Sequence, residues 1–319
     1  MKIKRNGKVL DPEHVYLFQS TYYFEEIVKI KRKFEKEQID FVFIKGLPIH
    51  LYIENNHPRR MYFDCDVLVL GQDFERAEKT LIAAGYKRAK DTLSGVHTSL
   101  KNKKIEMTYY KTINNINVVF DLHVEVVFMM TQLGKLNALY SQRSIDELTH
   151  SFLQEKRSVR IGQEVFPILS VNDLIIYLAL HLFHHNFKGY YRYDFLDKAI
   201  RKENIDWDKI IEKVQMNNLR NFVYPVFLLL QTYYKSPIPK KLLAELKPSR
   251  FVLRSISRLR KKFSIFDDEK RVEAGVDRFR NLFTFSQNNL LRKLLVFSDI
   301  SVVYSIFWVF QRRILQSEH

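Results

Sequence analysis

The fold of this 319-residue chain is decided by the stretch RMYFDCDVLVL, which occupies residues 60–70. Its apolar end predicts a buried β-strand, and two carboxylates, Asp64 and Asp66, stand at the entrance of that strand. Side chains alternate between the two faces of a strand, so residues two apart share a face. The pattern therefore places Asp64 and Asp66 side by side.

This pair of carboxylates is a candidate magnesium site. Two neighbouring carboxylates at a core strand are costly unless a cation neutralises them. Carboxylate oxygens are the ligands that Mg²⁺ prefers, and the ion is commonly shared with the phosphates of a substrate. The alternative interpretation is that Asp64 and Asp66 end a loop and face water.

A second strand, predicted at residues 116–126, repeats the acidic pattern. One of its faces is apolar, and the other carries Asp121 and His123. If the two strands lie side by side, Asp121 joins Asp64 and Asp66 around one site. His123 either touches the substrate or serves as the hydrogen-bond partner of a carboxylate.

A possible phosphate-binding turn precedes the aspartates. Lys45 and Gly46 lie between a short apolar strand at 40–44 and a helix at 47–54. Glycine lets the backbone approach a phosphate, the helix N-terminus offers free N–H groups, and the lysine adds a full positive charge. Arg60 is close enough in sequence to reach the same phosphates. The alternatives are an ordinary turn with a solvated lysine and a surface arginine.

The order of elements predicts an α+β protein. Strands and helices alternate in the first part, antiparallel strands follow, and a hairpin is expected at 159–166. Only helices are predicted beyond that point, including one long helix at 206–234. We therefore expect a domain with a mixed sheet and flanking helices at 1–165 and an all-helical domain at 166–319.

The chain is strongly basic, which favours an anionic partner such as a nucleotide, a nucleic acid or an acidic surface. Its formal net charge is +16, of which +4 lies up to Glu125 and +12 in the remainder. Arg250, Arg254 and Arg258 recur at helical spacing in that remainder and predict a basic ridge, together with Lys261. A solvated helix face is the alternative.

Other features of the composition suit a cytoplasmic protein. Cys65 is the one cysteine, which excludes an internal disulfide and indicates no disulfide-linked partner. The start of the sequence, MKIKRNGKVLDPEHV, does not match a signal peptide. The apolar run 294–310 has 17 residues with Asp299 inside it, fewer than the roughly 20 that a membrane span needs. A buried amphipathic helix is expected there, and a membrane-surface helix is the disfavoured alternative.

A second possible metal site lies on a predicted helix. His181 and His185 are one turn apart, the spacing of a zinc pair. The segment HLFHH lacks the glutamate of HExxH, however, and no cysteine is near in sequence. A helical metal-dependent hydrolase that uses these histidines remains one alternative function. The sequence contains no P-loop, no G-x-G-x-x-G and no G-x-S-x-G motif.

The segment IKGLPIHLYIENNHPRRMYFDCDVLVL, residues 44–70, resembles the uncharacterised nucleotidyltransferase family of the DNA polymerase β superfamily. The shared pattern is a strand ending in Lys-Gly, a helix, an arginine, and Asp-x-Asp with an aliphatic tail. Asp121-Leu122-His123 is similar to the family's Asp-x-His strand, although Val124 stands where tryptophan is usual. The helical segments LSVNDLIIYLALHLFHH and FLDKAIRKENIDWDKI are also similar, so the resemblance covers about residues 40–215.

The resemblance implies a nucleotidyltransferase-type fold and a metal-dependent reaction with two Mg²⁺ ions. Such enzymes move a nucleoside monophosphate from an NTP, such as ATP, to an acceptor hydroxyl and release pyrophosphate. Two cations about 4 Å apart stabilise the attacking and leaving oxygens. The implied catalytic and metal-binding residues are Asp64, Asp66 and Asp121, and the implied nucleotide-binding residues are Lys45, Gly46, Arg60 and His123.

A different class of function remains open. A nucleic-acid-binding or partner-binding protein with a degenerate nucleotidyltransferase core would explain the basic, aromatic-rich helical half, but the retention of all three aspartates counts against it. If the protein is a nucleotidyltransferase, the acceptor is RNA, a protein side chain, a peptide or a small hydroxylated molecule. The sequence does not select among these acceptors or among the NTPs.

Overall fold

A computed structural model of the protein describes residues 3–5, 8–62, 64–89, 106–113, 116–126, 136–262, 264, 266–267, 271–300, 302–304 and 306–307. Its contacts divide the chain into two compact units. The first unit comprises Met1–Thr98, Lys104–Glu125 and Thr149–Ser170, and the second comprises Ser99–Lys103, Val126–Leu148 and Val171–His319. The predicted domain boundary between residues 165 and 166 stays a prediction.

The first unit is built on a mixed β-sheet. The strands are β1 (Ile3–Arg5), β2 (Lys8–Leu10), β3 (Phe41–Phe43), β4 (Cys65–Val69), β5 (Lys87–Arg88), β6 (Glu106–Ile113), β7 (Ile116–His123), β8 (Arg157–Ile161) and β9 (Glu164–Ile168). β1 and β2 form a separate antiparallel pair, and the other seven lie in the order β5-β6-β7-β4-β3-β9-β8. β4 is parallel to β7 and β3 is parallel to β9, whereas the other neighbours are antiparallel.

Helices of the described chain accompany this sheet. They include α1 (Pro12–Lys36), α2 (Leu47–Glu54) and α3 (Phe74–Ala83). The Asp11 side chain caps α1 by accepting a hydrogen bond from the backbone N–H of Glu13, at 2.9 Å. α1 buries a stripe of large apolar side chains at helical spacing, of which Tyr23, Ile27 and Phe34 are almost fully buried. The predicted α+β class, a mixed sheet with flanking helices followed by helices alone, is confirmed.

The remaining helices begin with α4, which runs from Gln142 to Gln154. The others are α5 (Val171–His184), α6 (Tyr190–Lys202), α7 (Trp207–Met216), α8 (Arg220–Leu229), α9 (Lys240–Glu245), α10 (Arg250–Lys262), α11 (Arg271–Phe285) and α12 (Leu290–Leu294). None of the helices in the described part of the chain combines the length and apolarity needed to cross a bilayer.

The buried helix predicted at 294–310 is wrong for its described residues. α12 ends at Leu294, a 3-10 turn follows at Leu295–Ser298, and Asp299 adopts an extended conformation that interrupts the helix. Several apolar side chains of this run are exposed, among them Leu295, Ile300 and Phe307. Residues 301, 305 and 308–310 lie outside the described residues.

The single helix predicted at 206–234 is wrong. α7 ends at Met216, and Asn218 adopts a left-handed conformation with φ of +53° before α8 begins. Asparagine tolerates this conformation better than most residues, so it can end a helix as glycine does. The apolar spacing continues across the break because both helices bury an apolar face, and spacing alone therefore missed the turn.

The polar residues of the family-like helical segments hold the second unit together. Asp173, which is fully buried, pairs with Lys213 at 2.5 Å. Asp197 accepts a hydrogen bond from the Ser236 hydroxyl at 2.6 Å. Removing one partner of a buried charged pair costs several kcal/mol, about 3–5. These aspartates therefore maintain helix packing.

Candidate active site

Two adjacent strands bring three aspartates together. β4 and β7 pair in parallel with Asp66 directly opposite Asp121, so both side chains lie on the same face of the sheet. Asp64 immediately precedes β4. One carboxylate oxygen from each of Asp64, Asp66 and Asp121 lies within 4.8 Å of the other two. We call these three residues the aspartate triad.

The segment that carries Asp64 is tied to α1. The side-chain amide of Gln19 donates to the Tyr62 carbonyl at 2.6 Å and its oxygen accepts from the Tyr62 N–H at 3.4 Å. Both residues are buried. This two-way amide contact fixes the backbone just before β4 and thus the entry of Asp64 into the site.

The Lys45–Gly46 turn packs directly on β4. The N–H of Ile44 donates to the Asp66 carbonyl at 3.1 Å, which continues the pairing of β3 with β4. Gly46 has a φ of +91°, and a Cβ atom there would lie 3.1 Å from the Asp64 carbonyl oxygen. Glycine is therefore required both for the backbone conformation and for the close approach. The turn brings the Lys45 ammonium to 3.0 Å from Asp66 Oδ1.

His123 is held against the same carboxylate. Its Nε2 donates to Asp66 Oδ1 at 2.9 Å, and the residue is 2% exposed. Asp66 is fully buried, and within the described residues its second oxygen, Oδ2, has no hydrogen-bond partner. His123 therefore occupies Oδ1 of the Asp66 carboxylate, and Oδ2 stays available to another ligand.

The triad has uneven proton affinities. Burial and the neighbouring Asp66 charge raise the pKa of Asp64. Burial, Asp66 and Glu106 raise the pKa of Asp121 to about 7. Burial also pushes the pKa of Asp66 upward, but the Lys45 charge and the His123 hydrogen bond outweigh it and lower that pKa. Asp66 is therefore the member that stays ionised most readily without a metal.

Arg60 lies on the exposed loop before β4. Its guanidinium stacks over the Tyr62 ring at 4.5 Å and donates to the Tyr62 hydroxyl at 3.0 Å. Its charge also lowers the pKa of Asp64, although burial dominates at that carboxyl. Arg60 therefore contributes positive potential at the triad from a position that faces solvent.

The predicted histidine pair lies on α5 and the loop after it. The rings of His181 and His185 are 4.6 Å apart, and His184 lies 5.4 Å from His185. In the described part of the chain, the aspartate triad is the only cluster of three or more such side chains close enough to share an ion. The histidines do not converge as a three-ligand zinc site.

The predicted basic ridge lies on α10. Arg250, Arg254 and Arg258 are exposed, and Val252 and Ile256 are buried on the opposite side. Within the described residues, no carboxylate oxygen lies within 4.0 Å of these three guanidinium groups. We call the three residues the arginine face. The side chain of Lys261 lies outside the described ones.

Sequence reasoning missed Thr108. Its hydroxyl donates to Asp121 Oδ1 at 2.6 Å, because Thr108 in β6 stands opposite Asp121 in β7. The sequence carries a signal for this contact, because Asn114-Asn115 is typical of a turn and counting back from a two-residue turn pairs Thr108 with Asp121. The turn itself lies outside the described residues.

The chain matches a known protein family. A model of the uncharacterised nucleotidyltransferase family matches residues 14–235. That range contains the whole aspartate triad, the Lys45–Gly46 turn, α1 from residue 14 onward and helices α2 to α8. The comparisons with curated proteins and with solved structures found no match.

Proposed function

The chain belongs to the uncharacterised nucleotidyltransferase family, and from this premise we propose that it is a metal-dependent enzyme. It moves a nucleoside monophosphate from an NTP to an acceptor hydroxyl and releases pyrophosphate, acting in the cytoplasm. The observation that carries this proposal is the convergence of three carboxylates on two adjacent strands. A solvent-facing loop pair, the alternative interpretation, would not include a fully buried Asp66.

The donor set suits Mg²⁺. Three carboxylates supply hard oxygen ligands, and Asp66 Oδ2 is a buried oxygen without a hydrogen-bond partner in the described structure. An unsatisfied buried carboxylate oxygen is costly, and a cation would remove that cost. Asp64, Asp66 and Asp121 would hold two Mg²⁺ ions, which when bound stabilise negative charge on the reacting phosphate and its attacking and leaving oxygens.

The Lys45–Gly46 turn and Arg60 bind the triphosphate. The Lys45 side chain is about one quarter exposed (24%), so its ammonium reaches solvent while it contacts Asp66. Gly46 keeps the backbone close to β4, and α2 begins with the next residue. ATP is one candidate donor, and none of these contacts selects a base.

The acceptor hydroxyl loses its proton as the new bond forms. The O–H bond breaks, the acceptor oxygen bonds to the α-phosphorus, and the bond from that phosphorus to pyrophosphate breaks. Asp121 is the proposed proton acceptor. In the metal-free protein, burial and the neighbouring Asp66 and Glu106 charges raise the pKa of this carboxyl to about 7, which favours proton uptake relative to an ordinary aspartate.

RNA is the acceptor that the arginine face favours. Three exposed guanidinium groups repeat every four residues along α10, and the ring of Phe251 on the same helix is 63% exposed. Arginines bind backbone phosphates, and an exposed ring can stack on a base. A neutral peptide or a small neutral hydroxylated molecule would not need such a row of charges.

Incubation of the purified protein with each α-³²P-labelled NTP, Mg²⁺ and fractionated cell extract tests this function. Transfer of label to an RNA, protein or small-molecule fraction supports it when Asp66→Asn gives none. A matched control is Asp73→Asn, a buried aspartate of the same unit that pairs with Arg76 at 2.5 Å. NTP or RNA binding without transfer in any fraction would indicate a degenerate core instead.

A further inference from the structure

Two members of the aspartate triad, Asp121 and Asp66, each accept a hydrogen bond at one oxygen of the carboxylate. The Thr108 hydroxyl donates to Oδ1 of Asp121 at 2.6 Å, and Nε2 of His123 donates to Oδ1 of Asp66 at 2.9 Å. Neither donor belongs to the triad. Both contacts are shorter than 3 Å, and both engage Oδ1 rather than Oδ2.

The two donors sit on regular strands at fixed register. Thr108 of β6 faces Asp121 of β7 across an antiparallel pair, and His123 follows Asp121 by two residues on the same face of β7. β7 is in turn the neighbour of β4, which carries Asp66. Strand-borne groups hold a geometry more tightly than loop-borne groups.

We propose that Thr108 and His123 are positioning residues of the metal site, an inference that rests on the proposed function. By holding Oδ1, each fixes the rotation of a carboxylate and directs Oδ2 towards the metal. Asp66 Oδ2 is buried and has no hydrogen-bond partner among the described atoms, which is the state that this arrangement requires. Hydrogen bonds to metal-ligating groups typically contribute 10–100-fold to metal affinity.

This inference assigns His123 a role different from nucleotide binding. The His123 side chain is 2% exposed, and its Nε2 is already engaged by Asp66 Oδ1 rather than directed to solvent. Because an ionised carboxylate only accepts hydrogen bonds, the Nε2 atom of His123 must carry the hydrogen. The same reasoning makes the Thr108 hydroxyl a donor, so the methyl group of valine cannot replace it.

The test measures Mn²⁺ binding to the nucleotide-free protein by electron paramagnetic resonance, with Mg²⁺ as competitor. We expect Thr108→Val to weaken Mn²⁺ binding by about 10-fold or more, and Thr108→Ser to restore it to within about threefold. His123→Leu should weaken binding similarly. His123→Gln, whose Nε2 can donate from a similar position, should restore part of it.

A matched control lies on the same strand and face. The Thr112 hydroxyl donates to the side-chain oxygen of Asn117 at 2.7 Å, away from the triad. Thr112→Val should therefore leave Mn²⁺ affinity unchanged. Thermal melting of each variant identifies loss of folding. If the histidine variants fail to fold, Thr108→Val still tests the inference, because valine preserves the shape of the threonine side chain.

The outcomes separate the inference from the function on which it rests. No Mn²⁺ binding by the parent protein would overturn the proposed metal-dependent function and the inference with it. A parent that binds Mn²⁺, together with a folded Thr108→Val variant of equal affinity, would overturn the inference alone. Equal weakening by Thr108→Ser would also overturn it, because the serine keeps the donor.

Discussion

The aspartate triad and the arginine face both place like charges close together, but in opposite surroundings. Asp66 is fully buried, whereas Arg250, Arg254 and Arg258 are exposed. Charges interact strongly where water is excluded and weakly where water and salt screen them. Repulsion between like charges is therefore strong at the buried triad, where neighbouring groups must offset it. It is weak at the exposed arginine face, where water and salt screen it.

The two regions also differ in how their charge is balanced. Asp66 is offset inside the protein by the Lys45 ammonium at 3.0 Å and by His123 at 2.9 Å. The arginine face has no carboxylate within ion-pair distance in the described part of the chain. We therefore expect single substitutions at the triad to have much larger effects than charge reversals on α10.

The largest effect is expected for Asp66→Asn. Asparagine keeps the size of the side chain but removes the charge that holds the metal, so transfer should fall by about 10³-fold, the upper range for loss of one electrostatic group. Label transfer measured alongside circular dichroism checks this. Parent-like turnover in a folded Asp66→Asn protein would contradict the catalytic role of Asp66. It would also contradict the expectation that substitutions at the triad have larger effects than those on α10.

The next effect is a pH dependence of metal binding. The pKa of Asp121 is raised to about 7 in the metal-free protein, so a proton must leave before the carboxylate can bind a cation. Mn²⁺ affinity should therefore fall as the pH drops below 7, by up to about tenfold per pH unit, and level off above 7. Titrations from pH 5.5 to 8.5 measure the slope, which Asp121→Asn should flatten. A parent slope of zero would contradict the prediction.

Lys45→Met should lower the Kd for Mn²⁺ and raise the KM for NTP. Loss of a cation next to Asp66 removes a competitor of the metal, so Mn²⁺ should bind more tightly to the nucleotide-free protein. Loss of the same cation from the triphosphate site should raise KM for NTP by about tenfold, a typical size for a charge-assisted contact. Unchanged values of both constants would return Lys45 to the role of a solvated turn residue.

The smallest effect is expected at the arginine face. Arg254→Glu and Arg258→Glu should each reduce the salt dependence of single-stranded RNA binding by about 0.7 log unit per log unit of salt. Binding isotherms between 50 and 200 mM salt check this, with Lys209→Glu on α7 as a charge-reversal control. RNA binding that ignores both salt and the reversals would remove RNA as the leading acceptor.

The sequence predicted the buried strand and the face shared by Asp64 and Asp66 because strand alternation is a local rule. It predicted the contribution of Asp121 only on the condition that two distant strands become neighbours, which the paired β4 and β7 satisfy. The role of His123 could not be decided in advance, since burial depends on packing from the whole sheet. The pairing of Thr108 with Asp121 could have been predicted from the register of a two-residue hairpin turn.

Helix boundaries were limited by a different cause. The α7–α8 break at Asn218 follows from a single left-handed residue, while the apolar spacing on both sides still fits one helix. Spacing reports which face is buried and does not report where the backbone turns. The arginine face, in contrast, follows from four-residue spacing alone, because an exposed stripe needs no partner to define it.

The position of Cys65 allows the opening of β4 to be measured by chemical labelling of the unmodified protein. This thiol, the chain's one cysteine, is fully buried in β4 between two members of the triad, and burial followed by the Asp66 charge raises its pKa well above the ordinary value. A thiol reagent can reach it only when β4 separates from its neighbours, so the labelling rate measures that opening. A ligand that binds the closed triad slows labelling by a factor of one plus its concentration over Kd. The unmodified protein can thus be screened against metals, nucleotides and acceptors by timing one chemical reaction.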